Sequence, residues 1–151
     1  MPTPRELFES FQVFGADEDL LAEDLVVETP FAPPGRPRRW EGRDAWLAFA
    51  RPARATFPFE LRRRGVVVHE TPDPEVIVVE YELGGALPGT DHEAWAPFIG
   101  VLRARDGKVV HWREYQNAIA IAAATGGLPD LLASLGAGNA IDTGRRTELT
   151  G

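Results

Sequence analysis

The sequence predicts an α+β domain in which helices come first and a run of antiparallel strands follows. Leu7, Phe8, Phe11 and Phe14 recur at helical spacing near the N-terminus, and Trp46, Phe49, Ala50, Ala53 and Phe57 do so again further along. Four later runs, about 60–70, 75–83, 94–105 and 108–116, are rich in Val, Ile, Tyr, Phe or Trp and are joined by short turns. So few strands can cover the apolar helical faces only if the sheet curls around them. A curled sheet with helices across its mouth leaves a pocket between the layers.

Each element has a local reason. Thr3 caps the first helix, Pro4 suits its first position, and Glu6 completes a capping box. The periodicity carries that helix through Phe14, with Gly15 ending it. A short second helix is predicted over 17–23, its acids near the positive end. Residues 25–31 read as a strand stopped by the loop Ala32-Pro33-Pro34-Gly35-Arg36-Pro37, and 38–41 as a short extended piece. Gly42 opens the third helix, which Pro52 should kink and Pro58 should stop. Asp106-Gly107 is the strongest hairpin signal in the chain. Residues 117–124 form a further helix ended by Gly126-Gly127, and 128–135 add another turn or two. The expected layout is one domain over 1–135 and a flexible, Gly- and Thr-rich tail over 136–151.

Composition removes several classes of function. The 151 residues carry 16 Lys+Arg against 23 Asp+Glu, a net charge of −7. That balance argues against a nucleic-acid or general polyphosphate binder. Without cysteine there is no disulfide, thiol nucleophile, iron–sulfur cluster or Cys-ligated zinc. No apolar run approaches the ~20 residues of a membrane span, and the N-terminus lacks signal-peptide order, so no membrane association and a cytoplasmic location are expected. Ser10 and Ser134 lack the G-x-S-x-G context of a serine hydrolase. No phosphate-binding loop or dinucleotide fingerprint is present, and no cofactor is expected. His69, His92 and His111 lie on separate elements without metal-ligand spacing, so no metal is expected either.

The final strand is the most informative segment. Strand period places Val110, Trp112, Glu114 and Gln116 on one face and Val109, His111, Arg113 and Tyr115 on the other. If the first set faces the helices, Glu114 sits beside an indole in an apolar hollow. Desolvation would then raise its pKa and suit it to proton transfer near neutral pH. The alternative is a Glu114 that pairs with an arginine or faces water. Trp46, Phe49, Phe57, Tyr81 and Trp112 are candidates to line the hollow, with Trp95 or Phe98, of opposite parity, beside them; ordinary core packing is the alternative for each. His92, in the loop 89–93, either overhangs the mouth or is simply exposed. The clusters Arg62-Arg63-Arg64 and Arg36, Arg38, Arg39 read as solvated edges and ion pairs, with Arg63 turned opposite to its neighbours.

Leu25 to Gly42, with Trp40-Glu41-Gly42-Arg43-Asp44-Ala45, resembles the SnoaL-like branch of the nuclear-transport-factor-two-like superfamily. Phe57-Pro58, the turn Glu70-Thr71-Pro72-Asp73-Pro74, and Arg113-Glu114-Tyr115-Gln116-Asn117 followed by Leu128-Pro129 resemble the PhzA/PhzB-like phenazine-biosynthesis proteins. The similarity runs to about Leu135. It implies a cone-shaped curved antiparallel sheet wrapped around N-terminal helices, a cystatin-like α+β barrel, and a homodimer formed through the sheet backs. Thr29 stands where ketosteroid-isomerase-like members have an Asp base, which argues against their mechanism. Glu114 matches the acid/base carboxylate of the PhzA/PhzB-like proteins, whereas Phe49 or a neighbour replaces their third-helix His.

The resulting expectation is an enzyme of small-molecule secondary metabolism, an acid/base-catalysed isomerase, cyclase or condensing enzyme. Glu114 would be its catalytic residue, and a flat, hydrophobic or polyketide-like substrate would contact Trp46, Phe49, Phe57, Tyr81, Trp112 and His92. The alternative is a non-catalytic ligand-binding or dimerisation module of the same fold.

Overall fold

Residues 1–136 are described by the computed structural model; the tail expected over 136–151 lies, apart from Gly136, outside the described residues. The elements are α1 (Pro4–Ser10), a 3₁₀ turn (Glu18–Leu20), β1 (Leu21–Glu28), β2 (Arg39–Glu41), α2 (Arg43–Thr56), β3 (Arg62–Glu70), β4 (Val76–Ala86), β5 (Glu93–Arg105), β6 (Lys108–Gln116), α3 (Ala118–Thr125) and α4 (Leu128–Gly136). They build an α+β fold on one curved six-stranded sheet, ordered β2-β1-β6-β5-β4-β3.

β3 to β6 form the antiparallel meander that the short turns require. β1 departs from that pattern. It pairs with β2 antiparallel but with β6 in parallel, Val27 opposite Trp112. The parallel pairing is possible because the whole of α2 and the meander separate the two strands in sequence.

The capping box of α1 is present: Glu6 N–H donates to Thr3 Oγ1 (3.2 Å) and Thr3 N–H to Glu6 Oε2 (2.7 Å). The helix nevertheless stops at Ser10 rather than running to Phe14. Phe11 is already extended and Phe14 has a positive φ of 74°. That turn sends Phe14 onto Phe57, ring centroids 5.4 Å apart, so tertiary packing overrides the helical spacing. The second helix predicted over 17–23 shrinks to the single 3₁₀ turn, because β1 begins at Leu21. Leu21, Leu25 and Val27 are needed on the inner face of that strand, where each is at most 1% exposed. Glu23 and Asp24 between them disguise the strand as a helix.

α2 begins at Gly42, whose φ of 92° only glycine adopts freely, and continues through Pro52 to Thr56. Its Trp46, Leu47 and Ala50 meet Leu7 and Phe8 of α1 and the inner faces of β1 and β4 to β6 in one core. A register shift in the β5–β6 pairing, between Arg103 and Ala104, corrects the alternation expected for β6. Val109 enters this core with Trp112, and Val110 is buried as well. Gly126 closes α3 in the left-handed conformation, φ 74°.

Gly100 makes room for the largest inward side chain of β6. A Cβ at Gly100 would lie 2.2 Å from the Trp112 Cη2 atom. Gly100→Ala is therefore expected to displace the indole and to cost about 1–3 kcal/mol, as overpacking does. A lowered urea midpoint at unchanged slope checks this.

Candidate functional site

α1, α2 and the inner faces of β4 to β6 enclose a cavity of about 760 Å³, and α3 and α4 contribute part of its wall. That volume is in the range of small-molecule sites. The wall is mostly aromatic. Tyr81 stacks on Phe98 with ring centroids 5.6 Å apart and packs on Phe8 at 5.5 Å; Phe11 meets Trp112 edge-on at 5.9 Å. On the opposite side Trp40 lies 5.0 Å from Trp46 and 4.6 Å from Phe49. The Trp46 indole N–H is occupied by the Gly15 carbonyl at 2.8 Å, so this ring presents carbon to the cavity.

Glu114 is the polar centre of this surface. Alternation along β6 turns Trp112, Glu114 and Gln116 inward, opposite Leu102, Gly100 and Phe98 of β5. Gly100 has no side chain, and the Trp112 indole fills the space above it. The Tyr81 hydroxyl donates to Glu114 Oε2, and the Gln116 amide donates to Oε1 at 2.9 Å. Among the described residues no arginine or lysine ion-pairs with Glu114; its exposure is to the cavity it lines. Removal from water pushes its carboxyl above the ordinary range, and the hydrogen bonds from Gln116 and Tyr81 offset this only in part. Burial and the neighbouring carboxylate push the Tyr81 phenol well up, so Tyr81 remains a donor across ordinary pH.

Of the residues singled out in the sequence, Glu114, Trp46, Phe49, Phe57, Tyr81 and Trp112 all line the cavity. His92 does not: it is exposed in the β4–β5 connection, outside the lining residues. Phe98, buried in the core, and Trp95, under the Arg64 guanidinium at 3.7 Å, both border the cavity despite their opposite parity. The other histidines hydrogen-bond glutamates, His69 with Glu80 at 2.7 Å and His111 with Glu28 at 2.6 Å. The His111 hydrogen bond, followed by Arg39, holds the Glu28 carboxyl below its ordinary range. Thr29 is buried, its hydroxyl donating to the Pro37 carbonyl at 3.3 Å; it pins the Pro-rich loop. Among the described residues no three His, Asp or Glu side chains group as a metal site.

Sequence reasoning missed Trp40, Phe8, Phe11 and Arg63 as lining residues. The α1 phenylalanines read only as helix core. The odd parity of Arg63 within Arg62-Arg63-Arg64 was the available signal for that residue.

A curved sheet closed by helices over such a hollow is the architecture of nuclear-transport-factor-two-like and ketosteroid-isomerase-like proteins. Within that class, the chain belongs to the SnoaL-like domain family, which matches residues 12–112. It is 34% identical over 112 residues to an uncharacterised PhzA/B-like protein of Pseudomonas aeruginosa, covering 73% of this chain and 77% of that one. A Bacillus subtilis protein provisionally named an isomerase superposes with a TM-score of 0.70 at 26% identity, covering 82% of this chain and 93% of the other. A phenazine biosynthesis-related protein of Pseudomonas aeruginosa gives 0.66 at 24% identity, covering 82% and 84%. The family match stops at Trp112, so Glu114 lies just beyond it.

Proposed function

We propose that the protein is an acid/base enzyme of small-molecule secondary metabolism that acts on a flat, largely hydrophobic, carbonyl-bearing molecule. One observation carries this reading. A desolvated carboxyl, Glu114, lines a roughly 760 Å³ aromatic cavity, and among the described residues no cation pairs with it. As a carboxylate it takes a proton from a carbon next to a substrate carbonyl. As the acid so formed it returns that proton to another carbon or to an oxygen. Shifting a double bond, closing a ring and condensing two carbonyl compounds all need this pair of transfers. The Tyr81 hydroxyl and the Gln116 amide hold the carboxyl in one orientation. Trp46 and Trp112 shape the pocket for a planar ring system.

The test is solvent-deuterium incorporation, followed by NMR, with a panel of cyclic 1,3-diketones and aromatic β-keto esters in D₂O. Catalysed exchange next to the carbonyl that disappears in Glu114→Gln supports the proposal. Exchange unaffected by the substitution would falsify it. Binding without exchange by the wild type favours the second reading, a ligand-binding module, to which Thr29 in place of an Asp base lends weight.

The proposal includes a homodimer through the back of the sheet. Val67 and Ile99 are 48% and 44% exposed on neighbouring positions of the outer face, each opposite Glu80. Sedimentation of the wild type as a dimer and of Ile99→Lys as a monomer is the expected result.

A further inference from the structure

Alternation along β3 separates three consecutive arginines. Arg62 and Arg64 turn outward to Glu93 (2.7 Å) and Glu82 (3.0 Å), with Trp95 between them. Arg63 turns inward and lines the cavity. Its guanidinium lies 4.3 Å from the Phe8 ring centroid, and one terminal nitrogen donates to the Phe8 carbonyl at 3.1 Å. That bond satisfies one of five N–H donors. Among the described residues no carboxylate lies within ion-pairing distance of it, although ten arginine–carboxylate ion pairs are made elsewhere, from Arg5–Glu70 to Arg105–Asp24. The other ionisable groups of the lining besides Tyr81 and Glu114 are Arg36 and Asp130, both exposed. Burial lowers the Arg63 pKa, yet a guanidinium stays charged. A half-buried cation with donors to spare is costly unless something anionic meets it.

We infer that Arg63 is the anion-binding corner of the cavity and selects planar ligands that carry a carboxylate or an enolate. The inference rests on the cavity being a ligand site and specifies the substrate class. A carboxylate suits the planar fork of the guanidinium, which receives it through two parallel hydrogen bonds. The ring system then lies against Phe8 and Tyr81 and brings its reactive carbon toward Glu114.

The experiment compares 2-naphthoate with 2-naphthamide, equal in shape and different in charge, by quenching of the tryptophans that line the cavity. In the wild type the acid is expected to bind about tenfold tighter or more, the usual worth of a charge-assisted hydrogen bond. Arg63→Gln, shown folded by circular dichroism, should lose the preference, and Arg63→Lys should keep part of it. Equal affinity of the wild type for the two probes, a comparison that needs no variant, overturns the anion corner while leaving the Glu114 proposal standing. An acid preference that survives in Arg63→Gln also overturns it. Binding of neither probe overturns it together with the ligand-site reading.

Discussion

Glu114→Gln is expected to lower turnover by about 10²–10⁴-fold, the usual contribution of a positioned acid/base group. The amide keeps the length of the side chain and can still accept from the Tyr81 hydroxyl, but it cannot exchange a proton. Ligand affinity should therefore change far less than kcat, and that split is the diagnostic. The same variant has a signature in stability. The Glu114 carboxyl is raised in the folded protein from a value near 4.5. A raised carboxyl contributes stability that is fully present below the unfolded value and is lost as pH rises through the folded one. The stability of the wild type relative to Glu114→Gln should consequently fall as pH climbs from about 4 toward neutrality. Thermal midpoints of the two proteins across that range check the sign. Glu28, held below its ordinary range by His111, acts in the opposite direction, but it is common to both proteins and cancels in the difference.

Phe8→Ala carries the largest expected cost in stability, about 3–5 kcal/mol. Phe8 is 1% exposed, and its ring touches Tyr81, Trp112 and the Arg63 guanidinium. Removing it opens a void beneath three residues of the site at once. At ~2–4 °C per kcal/mol for a domain of this size, the midpoint should fall by about 10 °C. A fall of less than about 3 °C would show that α1 is not anchored through this ring. Because the Arg63 guanidinium lies over it, the loss should also erode the discrimination between 2-naphthoate and 2-naphthamide.

The elements that organise the site were legible because their signals were local. The capping box at Thr3 and Glu6, the Asp106-Gly107 hairpin and the alternation of Trp112, Glu114 and Gln116 each need only a few adjacent residues to interpret. What stayed hidden depends on partners far away in the chain. The start of β1, up to Glu23, looked helical because its parallel pairing with β6 cannot be read from either strand alone. Phe14 carried helical spacing, yet its partner is Phe57. Val109 is fully buried beside Val110 through an irregularity in pairing with β5, and no feature of β6 itself announces it. Arg63 was visible as a residue of odd parity, but its carbonyl partner on Phe8 lies across the fold. Identity followed the same division. The motifs from Leu25 to Gly42 and around Glu114 pointed to the family that the match over 12–112 establishes. The chemistry rests on how the side chains Tyr81, Gln116 and Glu114 meet in space.

The most direct measurement is the titration of that one carboxyl. In protein labelled with ¹³C at the glutamate side chains, the Glu114 signal is assigned by its absence from the Glu114→Gln spectrum, and its shift is followed with pH. A midpoint clearly above 4.5, moving higher still when Tyr81→Phe removes a hydrogen bond that favours the carboxylate, is the expected result. A midpoint at or below that value would mean the carboxyl is solvated or paired, and would contradict a proton-transfer role for Glu114.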